Sequence, residues 1–428
     1  MKKYAIFGNP VSHSKSPQIF NYIFQEYKQD NTYKPVRVNS ASEIIQIFDQ
    51  YELSGANITS PFKETVLPFL DKIDNVANEI NAVNTIVRKG EHLYGFNTDV
   101  YGVEHTIIKS GLDVKNRKCI VVGSGGAAKA AIYALKMLGA IIYSTNRTDS
   151  KSLDLSKKFN CNHIMFKDFI SDQHDAYLVV IAVKSFDIDF KDSLKNSIII
   201  DANYDLNKLS IISSRYIDGH DWLVKQASKT FEKFFDKSPN YSLMKSSTEQ
   251  NTIKHSNIAF IGMPGVGKSF YGEILAKKLN KKFYDTDNLI ELDTQTKIKE
   301  IFKKSGENKF REMEKEVIKK FVNLKDSLVA FGAGSVLTED VKKILNDNFI
   351  VINLHMPTED LTRMYNSELN QKDKRPLLYS NNLKEDLETI FNDRKNYYYE
   401  RSDLTIKMVY EDHDKNVRNI EEELTLIL

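Results

Sequence analysis

With 428 residues, and about 100–200 residues to a compact domain, the chain is expected to fold as two to four domains. Hydrophobic residues make up 41% and charged residues 28%, a globular balance that excludes a disordered chain, and 18 glycines exclude a collagen-like one. Lysine and arginine total 60 against 58 aspartate and glutamate, a net charge of +2, so no global charge points to nucleic acid.

Cys119 and Cys161 are too few to staple a chain of this length; they suit a reducing compartment and offer no metal-ligand spacing. No apolar run approaches the ~20 residues of a membrane span, and the run at residues 4–7 is too short for a signal peptide. A soluble cytoplasmic protein is expected, with small-molecule partners and neither nucleic acid nor membrane; the oligomeric state stays open.

In chain order, the first strand pattern, residues 4–7, runs into Gly8-Asn9-Pro10. Ser12-His13-Ser14-Lys15-Ser16-Pro17 reads as a helix start, with Ser16 as N-cap and Pro17 in the first turn, or as hydroxyls facing a ligand. Lys63 follows a strand end and Asp99 sits in a polar turn, and each alone reads as a surface residue. Residues 119–122 form a strand pattern, then Gly123-Ser124-Gly125-Gly126, then a helix from about 127 to 138, the order a dinucleotide fold requires. The next apolar run, 140–143, leads to Asn146, Arg147 and Thr148, with Lys151 beyond. A cation there suits a ribose 2′-phosphate, so NADP rather than NAD is expected, with an Arg147 solvated beside Asp149 as the competing reading.

Residues 236–256 are polar and read as a linker. Strand pattern 258–261 then opens GMPGVGKS at 262–269, a full match to G-x-x-x-x-G-K-[ST], followed by a helix from about 268 to 279. Gly262, Gly265 and Gly267 let backbone N–H groups wrap phosphate, Lys268 reaches the outer phosphates, and Ser269 takes Mg²⁺. Asp285 and Asp287 are read as sharing one face at a strand end, one for the metal and one for a substrate hydroxyl. Gly332-Ala333-Gly334 is a turn allowing close approach, and residues 374–378 read as a mobile lid. Strands alternating with helices of this length make the class α/β with parallel sheets.

Residues 262–269, 285–287, 310–314, 332–335, 375–378 and Arg394 resemble shikimate kinase in the same order, over essentially all of 257–428. The resemblance implies a three-layer P-loop kinase in which Lys268 and Ser269 bind ATP and Mg²⁺ with Asp285, and Asp287 activates the shikimate hydroxyl. Arg311 and Arg394 hold the carboxylate, Gly332 and Gly334 approach the ring, and Arg375 steadies the transferred phosphate. Ala333 replaces a usual glycine, and its methyl is expected to weaken binding.

Residues 8–10, 12–17, 57–65, 81–85, 95–99, 123–127, 146–148, 201–204 and 223–226 resemble shikimate dehydrogenase, over about 1–245. This implies Lys63 and Asp99 as the catalytic pair reducing 3-dehydroshikimate. Ser14, Ser16, Thr59, Asn84, Tyr204 and Gln226 would bind substrate. Gly123, Gly125, Gly126, Ala127, Asn146, Arg147, Thr148 and Lys151 would bind NADPH. Ile181 and Val183 replace polar residues usual before the nicotinamide, so either that loop is built differently or nicotinamide binding is weakened.

The expectation is therefore a bifunctional enzyme that makes shikimate and then phosphorylates it, or an active kinase carrying an impaired dehydrogenase-like module. The expected division is a substrate domain at 1–100 with 220–245, a Rossmann-like NADP domain at 101–219, a linker at 246–256 and a kinase at 257–428.

Overall fold

A computed structural model describes residues 1–171, 175–183, 194–203, 213, 215–249, 255–367 and 382–428. They divide into two compact units: Met1–Tyr4, Lys15–Tyr33 and Leu53–Gln250 in one, and Ala5–Ser14, Lys34–Glu52 and Asn251–Leu428 in the other. Residues 5–14 and 34–52, which the sequence places with 1–100, thus cluster with the C-terminal region.

In the first unit a parallel sheet runs in the order Tyr216–Ile217, Ile198–Asp201, Leu178–Ile181, Lys118–Val122, Ile141–Thr145 and Asn162–His163. Its strands are near-continuous runs of Val and Ile because both faces are covered. Cys119 and Val121 point into a cluster with Ala128, Ala131, Leu135 and Trp222. Their neighbours Ile120 and Val122 point the other way, to Phe169, Val179 and Ile181. Helix Gly126–Met137 follows the central strand, one residue from its expected place. A smaller group pairs Gly55–Ile58 and His92–Phe96 antiparallel on either side of Thr85–Lys89, with Lys72–Ile73 parallel to His92–Phe96. Helices Asp99–Lys109 and Gly219–Phe235 complete this unit's frame.

The polar stretch after residue 236 is not all extended. Asn240 caps a short helix, Tyr241–Ser247, accepting from the Leu243 N–H, and Met244 is buried. Ser16 is not the cap of the first helix: the helix runs Ser16–Glu26 with Lys15 at the cap position, and Ser16 is its buried first residue.

In the second unit the parallel strands Lys282–Asp285, Ser327–Ala330, Asn257–Gly262, Phe349–His355 and Leu404–Lys407 lie side by side. Thr405 and Ile406 then pair in parallel with Val36 and Arg37. The helices of this unit include Lys268–Lys278, Ile298–Lys319, Leu383–Arg401 and His413–Ile427. Both units are α/β with parallel sheets, as expected.

Candidate active sites

In the first unit, Lys63 lies in the loop after strand Gly55–Ile58, held by its own carbonyl, which accepts the Val83 N–H at 2.7 Å. Asp99 is not in an open turn but opens helix Asp99–Lys109, where it is buried and its N–H is held by Asn97 Oδ1 at 3.1 Å. Lys63 Nζ donates to Asp99 Oδ2 at 2.6 Å, with side-chain exposures of 16% and 7%. The residues that separately read as surface groups therefore form one enclosed ion pair. Gly126 stands against it: a Cβ there would lie 2.8 Å from Lys63 Cδ. The dinucleotide loop and the ion pair are thus in contact.

Beside this pair, Asn84 Nδ2 donates to Gln226 Oε1 and to Thr98 Oγ1, both at 3.0 Å, while Asn84 Oδ1 accepts from the Thr98 N–H at 2.8 Å. Asn57, Thr85 and Thr230 extend the network. These buried threonines carry no motif in the sequence. Their signal is only that a buried amide such as Asn84 needs partners. Ser16 and Thr59 lie in the same unit, and the Thr59 hydroxyl makes no hydrogen bond among the described residues. Ser14 is half-buried in the loop before Ser16 and belongs to the second unit. Tyr204 lies outside the described residues.

The loop at Gly123 to Ala127 fits a dinucleotide. Gly123 adopts φ +129° and a Cβ on it would lie 2.9 Å from the Ala182 carbonyl oxygen, so only glycine makes this turn. A Cβ on Gly125 would meet nothing within 4 Å, so the loop faces open space at a helix N-terminus, where pyrophosphate is favoured. Thr145 pairs with Val122, and beyond it Arg147, Thr148 and Lys151 are exposed, with Asn146 donating to the Thr148 carbonyl at 3.2 Å. Asp149 instead accepts from the Phe166 N–H at 2.8 Å, which weakens the reading of Arg147 as its solvated partner. Ile181 is a core residue at the strand end, and the Val183 carbonyl accepts from Asn203 Nδ2 at 2.7 Å. The apolar substitution at 181 is thus explained by packing; Lys184 falls outside the described residues.

In the second unit, strand Asn257–Gly262 delivers the phosphate loop and helix Lys268–Lys278 leaves it. Gly265 has φ +86° and lies so close to Tyr365 that a Cβ would stand 2.6 Å from its hydroxyl. Gly262 and Gly267 share the positive φ. Lys268 Nζ donates to the carbonyls of Gly262 and Met263, both at 3.0 Å, so it lies across the loop. Ser269 Oγ donates to Asp285 Oδ2 at 2.5 Å. Two hard oxygen donors side by side at a phosphate loop suit Mg²⁺, which keeps several of its waters.

One expectation changes here. Asp285 and Asp287 do not alternate along a strand. The strand ends at Asp285, whose Oδ1 accepts from the N–H groups of Asp287 and Asn288 at 2.9 and 3.1 Å and so caps helix Thr286–Thr294. Asp287 is in the first turn of that helix, facing the Gly332 turn, where a Cβ on Gly332 would lie 2.9 Å from its Oδ1. The Gly332 N–H is itself fixed by Thr286 Oγ1 at 2.8 Å.

Arg311 donates to Glu314 Oε2 at 2.7 Å and to Glu307 Oε1 at 2.9 Å. Burial opposes its charge, and these carboxylates outweigh burial and hold its pKa above the ordinary value. A Cβ on Gly334 would collide with the Arg311 guanidinium, and one on Gly332 with Glu314. Glu314, fully enclosed, also accepts from Ser335 Oγ at 2.5 Å. In the sequence Glu314 is marked by the 310–314 stretch that resembles shikimate kinase and by its i+3 spacing from Arg311. Arg394 is 7% exposed and its Nη1 is a buried donor with no hydrogen-bond partner among the described residues. Such a donor is costly unless a ligand meets it. Nearby, Tyr398 donates to the Ala333 carbonyl at 2.7 Å, and burial pushes its phenol up to about 12. Arg375 and the expected lid at 374–378 lie outside the described residues.

Comparison with known proteins bears on both parts of the chain. A family model described as the shikimate dehydrogenase substrate binding domain matches residues 6–86, and one described as shikimate kinase matches residues 264–425. A shikimate dehydrogenase (NADP(+)) of Aquifex aeolicus is 32% identical over 238 residues, 55% of this chain and 85% of that protein. One of Pelagibacter ubique is 36% identical over 161 residues, 37% of this chain and 61% of that protein. The crystal structure of shikimate dehydrogenase from Aquifex aeolicus aligns with a TM-score of 0.54 and 28% identity, over 58% of this chain and 98% of that one. No described helix is long and apolar enough to cross a membrane. With the paired lysine and aspartate beside one glycine loop and a full phosphate loop in the other unit, the chain belongs to the shikimate dehydrogenase family and carries a shikimate kinase domain at residues 264–425.

Proposed function

We propose that the chain reduces 3-dehydroshikimate to shikimate with NADPH and phosphorylates shikimate at its 3-hydroxyl with ATP and Mg²⁺, in the cytoplasm. The carrying observation is the Lys63–Asp99 ion pair, assembled from two separate stretches against the dinucleotide loop at Gly126. Bound NADPH supplies the hydride, and bound ATP with Mg²⁺ supplies the phosphoryl group. Lys63 delivers a proton to the oxygen that becomes the 3-hydroxyl and offsets its developing charge. Asp99 fixes the ammonium in place. Asn84 and Gln226, with Ser14, Ser16, Thr59 and Tyr204, hold the carboxylate and ring hydroxyls. Arg147, with Asn146, Thr148 and Lys151, selects the 2′-phosphate.

In the kinase, Lys268 turns from the loop carbonyls to phosphate oxygens, Ser269 and Asp285 hold the metal, and Asp287 accepts the proton of the attacking hydroxyl. Arg311 and Arg394 grip the substrate carboxylate, and Arg375 steadies the transferred phosphate. We assign substrate binding for reduction to the expected range 1–100 with 220–245, of which 5–14 and 34–52 cluster with the C-terminal region, NADPH binding to 101–219 and phosphorylation to 257–428, with 246–256 as the linker.

The test is a coupled assay on the full chain with 3-dehydroshikimate, NADPH, ATP and Mg²⁺, read as NADPH absorbance and ADP release. Lys63→Ala is expected to slow reduction by about 10²- to 10⁴-fold and leave phosphorylation of supplied shikimate intact. Lys268→Ala does the reverse. If wild-type protein releases ADP but never oxidises NADPH, the first unit is a binding module and the dehydrogenase reading falls.

A further inference from the structure

The parallel strands Leu178–Ile181 and Ile198–Asp201 end level with the central strand of their sheet, Ile181 lying beside Asp201 on one side and beside Val122 on the other. All three deliver their C-terminal ends to one edge, where an open α/β sheet takes its ligand. The segment that leaves Ile181 abuts the dinucleotide turn: a Cβ on Gly123 would stand 2.9 Å from the Ala182 carbonyl oxygen and 3.1 Å from Val183 Cγ1.

Backbone pairing carries this segment one residue past its strand. The Ala182 N–H donates to the Val122 carbonyl and the Ala202 N–H to the Ile181 carbonyl, both at 2.9 Å. The Val183 carbonyl is met by a side chain instead: Asn203 Nδ2 donates to it at 2.7 Å. The same amide nitrogen donates to Asp201 Oδ1 at 2.8 Å, and the Asn203 N–H donates to that oxygen at 3.0 Å. Asp201 is 1% exposed, and its other oxygen accepts from the Tyr216 hydroxyl at 3.3 Å. The Asn203 amide nitrogen thus spends its two protons on two acceptors, and an enclosed carboxylate fixes its orientation. All of these residues belong to the first unit. Val183 has no hydroxyl or amide with which to close its own turn, and Asn203 does so from the exit of the neighbouring strand.

We propose that Asn203 is a positioning residue for the nicotinamide end of the cofactor: aligned by Asp201, its amide holds the Val183 carbonyl and so fixes the turn after strand Leu178–Ile181 against Gly123. This rests on the reading of NADPH as the cofactor and of residues 181–183 as the segment before the nicotinamide. The apolar residues at 181 and 183 then mark a loop that is built differently, its backbone pinned from the neighbouring strand rather than by its own side chains.

The experiment measures binding to the full chain, by fluorescence titration for NADPH and by titration calorimetry for adenosine 2′,5′-bisphosphate, which carries the 2′-phosphate end and no nicotinamide. Asn203→Ala is expected to raise the Kd for NADPH about three- to tenfold and to leave that for the bisphosphate within about twofold. In steady-state assays of the same samples the KM for NADPH rises in step, and the kinase KM for shikimate stays within about twofold. A rise of less than about threefold in the NADPH Kd, or an equal rise for both ligands, overturns the proposal. If Asn203→Ala does not fold, Asn203→Asp, ionised at neutral pH, keeps the volume and removes the amide donor, and the presence or absence of the same split decides. If wild-type protein binds neither ligand, the cofactor reading falls and the proposal with it. If wild type binds both and Asn203→Ala matches it, the positioning role fails alone.

Discussion

Replacing Gly126 by alanine tests whether the reductase depends on the placement of Lys63 rather than on its mere presence. The added Cβ would stand 2.8 Å from Lys63 Cδ and 3.3 Å from Lys63 Cβ. Carbon atoms settle at about 3.5–4.0 Å, so the lysine stem must retreat by roughly 0.7 Å or more. The stem is pinned at its base by the Lys63–Val83 backbone bond and at its tip by Asp99 at 2.6 Å, so the retreat is carried to Nζ. A misplacement of about 1 Å costs on the order of 100-fold in rate, and kcat for reduction is expected to fall about 10- to 100-fold. Alanine suits a helix better than glycine by up to about 1 kcal/mol, so the melting temperature should hold or rise. Steady-state NADPH oxidation at saturating 3-dehydroshikimate reads the effect, and phosphorylation in the same sample serves as the standard. A kcat within threefold of wild type, with unchanged thermal stability, would refute the argument.

Arg394→Met, which leaves the carboxylate grip to Arg311, is expected to raise the kinase KM for shikimate about 10- to 100-fold, with reduction untouched; equal KM values would mean that the buried Nη1 meets no substrate. Arg147→Ser should raise the KM for NADPH about tenfold and leave that for NADH unchanged, because only one cofactor carries the 2′-phosphate. A parallel change in both would remove Arg147 from that role. Burial, and then Lys407, push the His355 imidazole down to about 3. Its Nε2–H donates to Gln50 Oε1 at 2.9 Å and its Nδ1 accepts from the Tyr51 hydroxyl at 3.2 Å, both suited to the neutral ring. The unfolded chain then takes the proton first. The contribution is complete above pH ~6.5 and is lost as pH falls, by about 2 kcal/mol between pH 7 and pH 5. Urea midpoints at the two pH values should show a smaller drop in His355→Gln; an identical drop would put the loss elsewhere.

What the sequence disclosed follows from how local each signal is. The phosphate loop at 262–269 is written in contiguous residues, and the strand before it and the helix after it lie within a residue or two of their expected bounds. The central dinucleotide strand and helix are equally local. Asp285 and Asp287 were harder, because an acid-x-acid pattern fits one face of a strand and also an N-cap with a first-turn acid. Only the bonds from Asp285 Oδ1 to the N–H groups of 287 and 288 decide between them. The polar network of Thr85, Thr98 and Thr230 has no local signature, since its members come from three separate elements. Glu423 reads in sequence as one more charge on an acidic helix, and nothing in residues 413–427 says that Arg37 Nη1 will donate to it, at 3.2 Å.

The pairing of Val36 and Arg37 with Thr405 and Ile406 bears on how the polypeptide is made. Contacts of such sequence separation slow folding, because loop closure precedes any gain. Arg37 and Glu423 are 386 residues apart, and at ~5–20 residues per second the ribosome needs roughly 20–80 s to travel between them. For most of that interval the strand carrying residues 34–37 lacks one of its two sheet neighbours, leaving an exposed edge of the kind that invites aggregation. The second unit therefore cannot close in the order in which it is translated, and its first-made strands wait on its last-made helix.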